Sequence, residues 1–489
     1  MADLPPPAPA HVPTLPDGLV AVVKRDCPTC VLVAPVLADL AGRSEPLVVY
    51  SQDDPSFPEG LAAVVDDSAL AVSWHHRIET VPTILRVRDG AEVDRVVGWS
   101  RRQWEELCAA EGLGEGLPEW RPGCGSLAVD PDRADELRAR FSANLLRSRR
   151  VELAAAEDEV EAMFDRGWTD GLPVVAPTES RVLAMLAGTT RAPDEVVAVV
   201  PPDLVEATVE KVAVNAVMAG CRPEHLPIVL AAVEAACTDE FNVHGLLATT
   251  YFSGPVVIVN GPRGRAVGMN SGVNALGQGN RANLTIGRAL QLVVRNIGGG
   301  RPGEVDRATL GNPGKLSFCF AEDEAGSPWE PLSVERGYAP EATTVTLFAG
   351  EGPRGVVDQL SRTPESLARS FAAALRSVAH PKLPLAFDAV LVVSPEHARV
   401  FAGSGWDKAR LRNELAGLLA LPGAELVRGA GGIAEGVPES LAGATLPKFR
   451  DEGLLIVHAG GSAGLFSAII GGWVNGATGS QPVTREVTA

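Results

Sequence analysis

The chain has 489 residues, and its 46% hydrophobic and 21% charged residues are typical of a globular protein. Its 61 acidic residues outnumber its 43 basic ones, and the net charge of −18 argues against nucleic acid as a partner. Seven cysteines are too few for a disulfide-stapled secreted scaffold. We recognise neither a signal peptide nor an apolar run long enough to span a membrane, so we predict a cytoplasmic protein with no membrane partner.

Residues 14–115 are predicted to form a small α/β domain, because short apolar strands alternate with amphipathic helices. The predicted elements are a strand at 18–24, a helix at about 31–41, a strand at 47–50, strands at 78–87 and 93–99 joined as a hairpin by an Asp-Gly turn, and a helix at 100–110.

A C-x-x-C motif, Cys27-Pro28-Thr29-Cys30, lies where the first predicted strand meets the first predicted helix. The dipole at a helix N-terminus stabilises a thiolate, so Cys27 is the candidate nucleophile. The spacing of the motif lets Cys30 resolve a mixed disulfide formed at Cys27.

With Val81-Pro82-Thr83 later in the segment, the motif resembles the thioredoxin and glutaredoxin fold family, whose cis-proline loop faces the two cysteines. The resemblance implies redox activity at Cys27 and Cys30, with Pro82 in the structural redox loop. Thioredoxins carry Trp where this chain has Asp26 and a buried Asp near the position of Ala21, so the motif is nearer the glutaredoxin form. Two alternatives are a domain used only for docking and half of a zinc site, although the chain has no second C-x-x-C.

Residues 116–150 are predicted to be a linker and a connecting helix. Glycine and proline punctuate the first part, and a charged helical stretch follows. Cys124 lies in the glycine-rich part; it could contact another thiol, but we interpret it as an ordinary linker residue.

Residues 151–489 are predicted to form a large mixed α/β domain, either as one body or with a subdivision into two lobes near 350–385. Strands are predicted at 195–200, 256–260, 316–320, 344–348, 389–393 and 454–458, and helices at 204–219, 223–237, 284–296, 364–378, 395–401 and 407–419. The fold class of the chain is therefore α/β, with a thioredoxin-like domain first. No nucleotide-binding fingerprint occurs, and the large domain resembles no characterised family that we can name.

Cys221 is the candidate catalytic thiol of the large domain. It lies between two predicted helices, where free backbone amides, the helix dipole and Arg222 are expected to lower its pKa. Lys211 and Asn215, four residues apart on the preceding helix, share a face and are predicted to bind substrate. The alternative is a purely structural cysteine at a helix junction.

Two further positions carry chemistry. His244, in a predicted loop, could be a general acid or base or a metal ligand, or simply an exposed or structural histidine. Cys319 and Glu322, on and just after a predicted strand, could also ligate a metal, or Glu322 could act as a base. A solvated acidic loop is the alternative there.

The Gly/Asn-rich loop 268–283 is the richest candidate for ligand binding. Its carboxamides and one guanidinium could hold an anionic or amide-bearing ligand beside a helix N-terminus. The residues concerned are Asn270, Asn274, Asn280, Arg281 and Asn283. A turn whose asparagines cap helices is the alternative. Ser462, in a second glycine-rich loop after the predicted strand at 454–458, is a further candidate for binding substrate.

Together these features predict a thiol-dependent oxidoreductase in which the C-x-x-C domain recycles Cys221 while the large domain holds a small polar or anionic substrate. A cellular dithiol would be the reductant. Alternatives are a metal- or acid/base-dependent lyase or hydrolase that uses His244 and Glu322, and a thiol-based metal-handling or binding protein. The sequence requires no cofactor, although it leaves a bound metal and an oligomer open.

Overall fold

The computed structural model describes residues 12–141, 146–154 and 157–488. The chain divides into two compact units, the first extending to residue 146 and the second beginning at residue 147. Both units combine helices with sheets, which confirms the α/β fold class. Among the described residues, no helix is long and apolar enough to cross a membrane.

The first unit is built on a five-stranded sheet with the strand order β3-β2-β1-β5-β6. Its strands are β1 Gly18–Val23, β2 Leu47–Ser51, β3 Val64–Asp66, β4 Thr80–Val81, β5 Thr83–Arg88, β6 Ala91–Val97, β7 Trp99–Ser100, β8 Trp120–Arg121 and β9 Cys124–Gly125. Its helices are α1 Pro28–Ala41, α2 Ala71–His75, α3 Arg101–Cys108 and α4 Pro131–Phe141, with a 3-10 turn at Leu127–Val129.

The central position of β1 follows from its sequence. Every residue after Gly18 in this strand is apolar and buried, as expected for a strand covered on both faces. It runs parallel to β2 and antiparallel to β5. Val33, Leu37 and Leu40 of α1 belong to the same core, so this core fixes the start of α1 at the end of β1.

Residues assigned to the linker from their glycine and proline content instead pair with the first unit. Strand β8 pairs with β7, and β9 pairs with β4. The Trp99 indole also donates a hydrogen bond to the carbonyl of Pro118. Two-residue bridges carry no periodic pattern, which is why the sequence indicates turns there and not the return of the chain to the sheet.

The second unit contains the remaining elements. Its strands are β10 Val196–Val200, β11 Val205–Thr208, β12 Gly254–Asn260, β13 Cys319–Ala321, β14 Thr344–Gly350, β15 Arg354–Val357, β16 Phe387–Val393, β17 Leu421–Pro422, β18 Thr445–Leu446, β19 Leu454–His458, β20 Phe466–Val474 and β21 Val483–Glu486. Its helices are α5 Glu159–Asp165, α6 Glu179–Leu186, α7 Val209–Ala219, α8 Leu226–Ala236, α9 Val243–Ala248, α10 Pro262–Ala266, α11 Arg281–Asn296, α12 Leu332–Glu335, α13 Pro364–Leu375, α14 Pro395–Ala402, α15 Lys408–Leu419 and α16 Gly423–Leu426.

The main sheet of this unit has the order β13-β12-β14-β20-β16-β19, with β15 on β20 and β21 on β14. Each half consists of a parallel pair, β12 with β13 or β16 with β19, and one antiparallel strand. The halves meet where Gly350 pairs with Gly472. A Cβ on Gly472 would lie 2.7 Å from the Asp388 carbonyl oxygen and 2.9 Å from the Phe348 ring, so this contact requires glycine.

One apolar core joins the two halves, since it contains Ile258, Phe348, Val392 and Ile470. Residues 350–385 therefore connect two parts of a continuous sheet. Helices α13, α14 and α15 contribute to a second core with the half that contains β16, β19 and β20.

Two of the differences from the sequence-based expectation have a clear physical reason. The segment predicted as the start of a helix at residue 204 forms strand β11, and the helix begins only at Val209, because Thr208 caps it by accepting from the Lys211 amide. The central strand β20 was not predicted. Its sequence, FSAIIGGWV, contains two glycines and shows no alternation, because it is paired on both sides and largely buried.

Candidate functional site

The C-x-x-C motif lies at the turn between β1 and α1. Cys27 is the N-cap of α1, and its sulfur accepts a hydrogen bond from the Cys30 amide at 3.3 Å. Pro28 occupies the first helical position, where a missing N–H costs nothing. The start of the helix thus directs free amide groups at Cys27.

The Cys27 thiol has a pKa lowered to about 5. The largest cause is the hydrogen bond that the Cys30 thiol donates to it, while burial opposes the shift. The Cys124 thiol and the amides of Cys30 and Thr29 lower the pKa further. Burial raises the pKa of Cys30, and the hydrogen bond to Cys27 raises it again. Cys27 is therefore a thiolate at neutral pH, and Cys30 is its protonated neighbour.

The loop before β5 completes the site. The Val81–Pro82 peptide bond is cis, and the Val81 carbonyl oxygen lies 3.5 Å from the Cys27 sulfur, which donates to it when protonated. Cys27 is 1% exposed and Cys30 is fully buried. A partner disulfide can therefore reach Cys27 only if the segment of the chain that covers this thiol moves.

The cover is the segment of residues 121–125. The Thr29 hydroxyl donates to the Pro122 carbonyl at 2.7 Å, and Cys124 pairs with Val81 across the β4–β9 bridge. Cys124 is half-buried and packs against the core that contains Cys27. The interpretation of Cys124 as an ordinary linker residue is therefore wrong: it is a third thiol at the site.

One curated protein matches part of the chain. It is thioredoxin H-type 1 of Nicotiana tabacum, 32% identical over 80 residues. The match covers 16% of this chain and 54% of the tobacco protein, so the chain spans about half the length of that relative. No protein-family model matches the chain, and no solved structure gives a significant match. The similarity supports a thioredoxin-like domain in the first unit and leaves the second unit unassigned.

In the second unit, Cys221 lies just after α7, with its sulfur donating to the Thr285 carbonyl at 3.3 Å. The prediction of a lowered pKa is wrong, because burial raises the pKa of this thiol to about 12. Arg281 acts in the opposite direction but does not outweigh burial. The Arg222 amide donates to His225 Nδ1 at 3.2 Å and so caps the 3-10 turn that leads into α8.

The carboxamides of the loop 268–283 bond mainly to the loop itself. Asn280 caps α11 by accepting from the Asn283 amide, and its Nδ2 donates to the Gly268 carbonyl. Asn283 bonds the backbone of Asn270 through both ends of its side chain. Asn270 Nδ2 and Asn274 Nδ2 donate to backbone carbonyls within the loop, while Arg281 Nε donates to the Gly220 carbonyl. The geometry favours the capping alternative for the asparagines.

Among the other predicted site residues, Lys211 and Asn215 are neighbours on α7, where Asn215 Nδ2 donates to the Lys211 carbonyl at 2.9 Å. Asn215 is buried and accepts from Asn296, which ties α7 to α11. Lys211 donates to the Glu206 carbonyl at the surface. Ser462 is exposed in the loop after β19, and His244 is exposed on α9, where it hydrogen-bonds no described residue.

Glu322 belongs to a buried polar cluster that sequence reasoning did not identify. Its carboxylate pairs with Lys408 at 3.2 Å and accepts from Asn260, from the Leu332 amide and from the His458 amide. Both members of the ion pair are almost fully buried. The carboxylate is saturated with donors, so it does not serve as a free base. The ends of β12, β13 and β19 and the starts of α12 and α15 bring these residues together, and no local motif marks them.

Within the described ranges, no group of three His, Cys, Asp or Glu side chains is arranged to hold a metal ion. His244, Cys319 and Glu322 are therefore not brought together as ligands. Cys319 is buried on β13, and burial raises its pKa.

Proposed function

We propose that the chain is a thiol–disulfide oxidoreductase whose nucleophile is Cys27. The observation that carries the proposal is the Cys27 sulfur at the start of α1, with its pKa lowered to about 5 beside a buried, protonated Cys30. A thiolate at neutral pH next to a resolving thiol is what exchange with a disulfide requires.

The exchange has two steps. The Cys27 thiolate attacks one sulfur of a partner disulfide, forms a mixed disulfide and releases the other sulfur as a thiolate. The Cys30 sulfur then attacks Cys27, its proton passes to the departing thiolate, and the Cys27–Cys30 disulfide closes. Two electrons pass from the cysteine pair to the partner, which is released as two thiols once the first thiolate takes up a proton.

We further propose that this cysteine pair recycles Cys221, while the second unit acts on a small polar or anionic substrate. A cellular dithiol would then re-reduce Cys27 and Cys30. Carrying the pair and Cys221 in one chain raises the local thiol concentration to the order of millimolar. We also propose a cytoplasmic location, which the low cysteine content of the chain fits. Since Cys221 is buried with a pKa of about 12, it would react only when the junction before α8 opens.

The exchange activity of Cys27 is tested by measuring how fast the full chain turns over an aromatic disulfide in the presence of a chemical dithiol reductant. We expect Cys27→Ser to lower the rate by at least ~100-fold, because a hydroxyl does not replace a thiolate. Cys237→Ser, at a half-buried thiol in the second unit, is the matched control and should keep the rate. An unchanged rate in Cys27→Ser would refute the proposal.

The recycling of Cys221 is tested by removing Cys30 and Cys124, so that no neighbouring thiol can resolve a mixed disulfide at Cys27. After mild oxidation of the C30S/C124S chain, peptide mapping should show Cys27 joined to Cys221. Addition of Cys221→Ser should abolish this linkage. If Cys27 instead carries only the oxidant, the recycling of Cys221 is refuted while the exchange activity stands.

The alternatives receive less support. A lyase or hydrolase that uses His244 and Glu322 would need a free carboxylate, yet Glu322 accepts from four donors. A metal-handling protein would need a donor set that the described residues do not form.

A further inference from the structure

We propose that Cys124 is a third redox-active cysteine, which forms a disulfide with Cys27 in exchange with Cys30. The inference rests on the proposed thiol–disulfide chemistry at Cys27 and adds a second resolving thiol to it.

The position of Cys124 is fixed by backbone contacts on two sides. Its strand pairs with β4, where it faces Val81, the residue whose carbonyl contacts the Cys27 sulfur. Two residues earlier, the Pro122 carbonyl accepts from Thr29 inside the C-x-x-C motif. The Cys124 thiol is thus held beside Cys27, close enough to lower the pKa of Cys27.

The tight approach of this segment explains Gly123. A Cβ at this position would lie 2.4 Å from the Thr80 methyl and 2.7 Å from the Val81 carbonyl oxygen. A larger residue would therefore push the segment away from β4, and Cys124 would move with it. Glycine at position 123 therefore lets the segment that carries Cys124 lie against β4.

Exposure distinguishes the two partners of Cys27. Cys30 is fully buried, whereas Cys124 is only half-buried. Burial raises the pKa of both thiols, but Cys124 is the thiol of the three that solvent and a partner reach first. Cys27 could therefore form its disulfide either with the inner thiol, Cys30, or with the outer thiol, Cys124. Exchange between these two disulfides would carry oxidation from the buried cysteine pair to the surface.

A soft-metal site would be the other use of three converging thiols. Among the residues that the structure describes, however, these cysteines do not form a metal-binding arrangement. The observations therefore favour a disulfide.

The step needs a disulfide as oxidant. The Cys27 thiolate attacks glutathione disulfide, used here as the probe, and one glutathione leaves as a thiolate. The Cys124 sulfur then attacks Cys27, the second glutathione leaves, and the thiol proton of Cys124 passes to it. The products are the Cys27–Cys124 disulfide and two reduced glutathione molecules.

The test uses the full chain with Cys30→Ser, treated with glutathione disulfide, quenched by alkylation and mapped by mass spectrometry without reduction. We expect a Cys27–Cys124 disulfide, with the glutathione adduct on Cys27 lost at least ~10-fold faster than in C30S/C124S, because an adjacent thiol acts at high effective concentration. Cys30→Ser with Cys237→Ser is the matched control and should behave as C30S alone.

A glutathione adduct on Cys27 that is equally long-lived in C30S and C30S/C124S would overturn the proposal. If C30S does not fold, the wild-type chain in a glutathione redox buffer replaces it, and the absence of any Cys27–Cys124 peptide at every ratio overturns the proposal equally. In both cases, formation of Cys27–Cys30 in C124S leaves the proposed function standing. If Cys27 enters no disulfide in any variant, both proposals fail.

Discussion

The pH dependence of Cys27 alkylation tests the site most directly. With its pKa lowered to about 5 from an ordinary value near 9, Cys27 should be about 90% thiolate at pH 6, against roughly 0.1% for an ordinary thiol. The thiolate is therefore about 900-fold more abundant. Its intrinsic nucleophilicity falls by about 60-fold over four pKa units, which leaves a net advantage of about 15-fold for equally accessible thiols.

The measurement is labelling by iodoacetamide from pH 4 to 10, with Cys27 quantified by peptide mapping. Because Cys27 is 1% exposed, its absolute rate is reduced at every pH, and the midpoint of the profile is the informative quantity. We expect a midpoint near pH 5 in the folded chain and near the ordinary thiol value in denaturant. A folded-state midpoint above pH 8 would refute the assignment of Cys27 as the nucleophile.

The cause of the shift is tested by comparing Cys30→Ala with Cys30→Ser. The alanine removes the largest contribution, the hydrogen bond from Cys30, and should raise the midpoint more than the serine, which keeps a donor. Linkage gives a second readout. Because the folded pKa is lowered, the thiolate stabilises the reduced chain above about pH 9, and this stabilisation is lost as the pH falls through about 5. As the pH rises from about 5 to about 9, the free energy of unfolding of the reduced wild type should therefore increase relative to that of Cys27→Ser.

Three further substitutions test the packing. Thr29→Val removes the hydrogen bond that holds the segment over Cys27, worth about 1 kcal/mol, so labelling should become roughly 5-fold faster at an unchanged midpoint; an unchanged rate would mean that this bond does not control access. Lys408→Met leaves a buried carboxylate unpaired and should cost about 3–5 kcal/mol in urea denaturation, whereas Arg43→Met in an exposed pair should cost less than ~1 kcal/mol. Equal costs would contradict the assigned burial. Gly472→Ala should destabilise by about 1–3 kcal/mol through steric overlap, while Gly417→Ala, in open space within α15, should stabilise by about 0.5–1 kcal/mol. A neutral Gly472→Ala would show that the sheet yields there.

The sequence predicted elements best where the periodicity is long. Helix α11 and strands β12, β16 and β19 occur within a few residues of their predicted bounds, because each has a strong apolar pattern and clear end signals. Strand β20 was not predicted because Gly471 and Gly472 interrupt its apolar run and resemble a loop.

The candidate sites show the same contrast between what a local sequence pattern indicates and what tertiary packing decides. The chemistry of Cys27 and Cys30 depends on a strand-to-helix turn encoded by adjacent residues, so the motif alone indicates it. The reactivity expected of Cys221 depended on exposure, which packing against α11 decides; its thiol meets Thr285, 64 residues away in sequence. Burial, not the helix dipole, then dominates its pKa.

By itself the sequence determined the α/β class, the position of the C-x-x-C motif and the acidic, cysteine-poor character of the chain, since these follow from composition and from patterns a few residues apart. Tertiary structure alone decided that Cys124 lies at Cys27 and that Glu322 is paired with Lys408. The reason is physical: pKa and reactivity depend on burial and on partners that strand pairing brings from distant parts of the chain, and no local pattern records those partners.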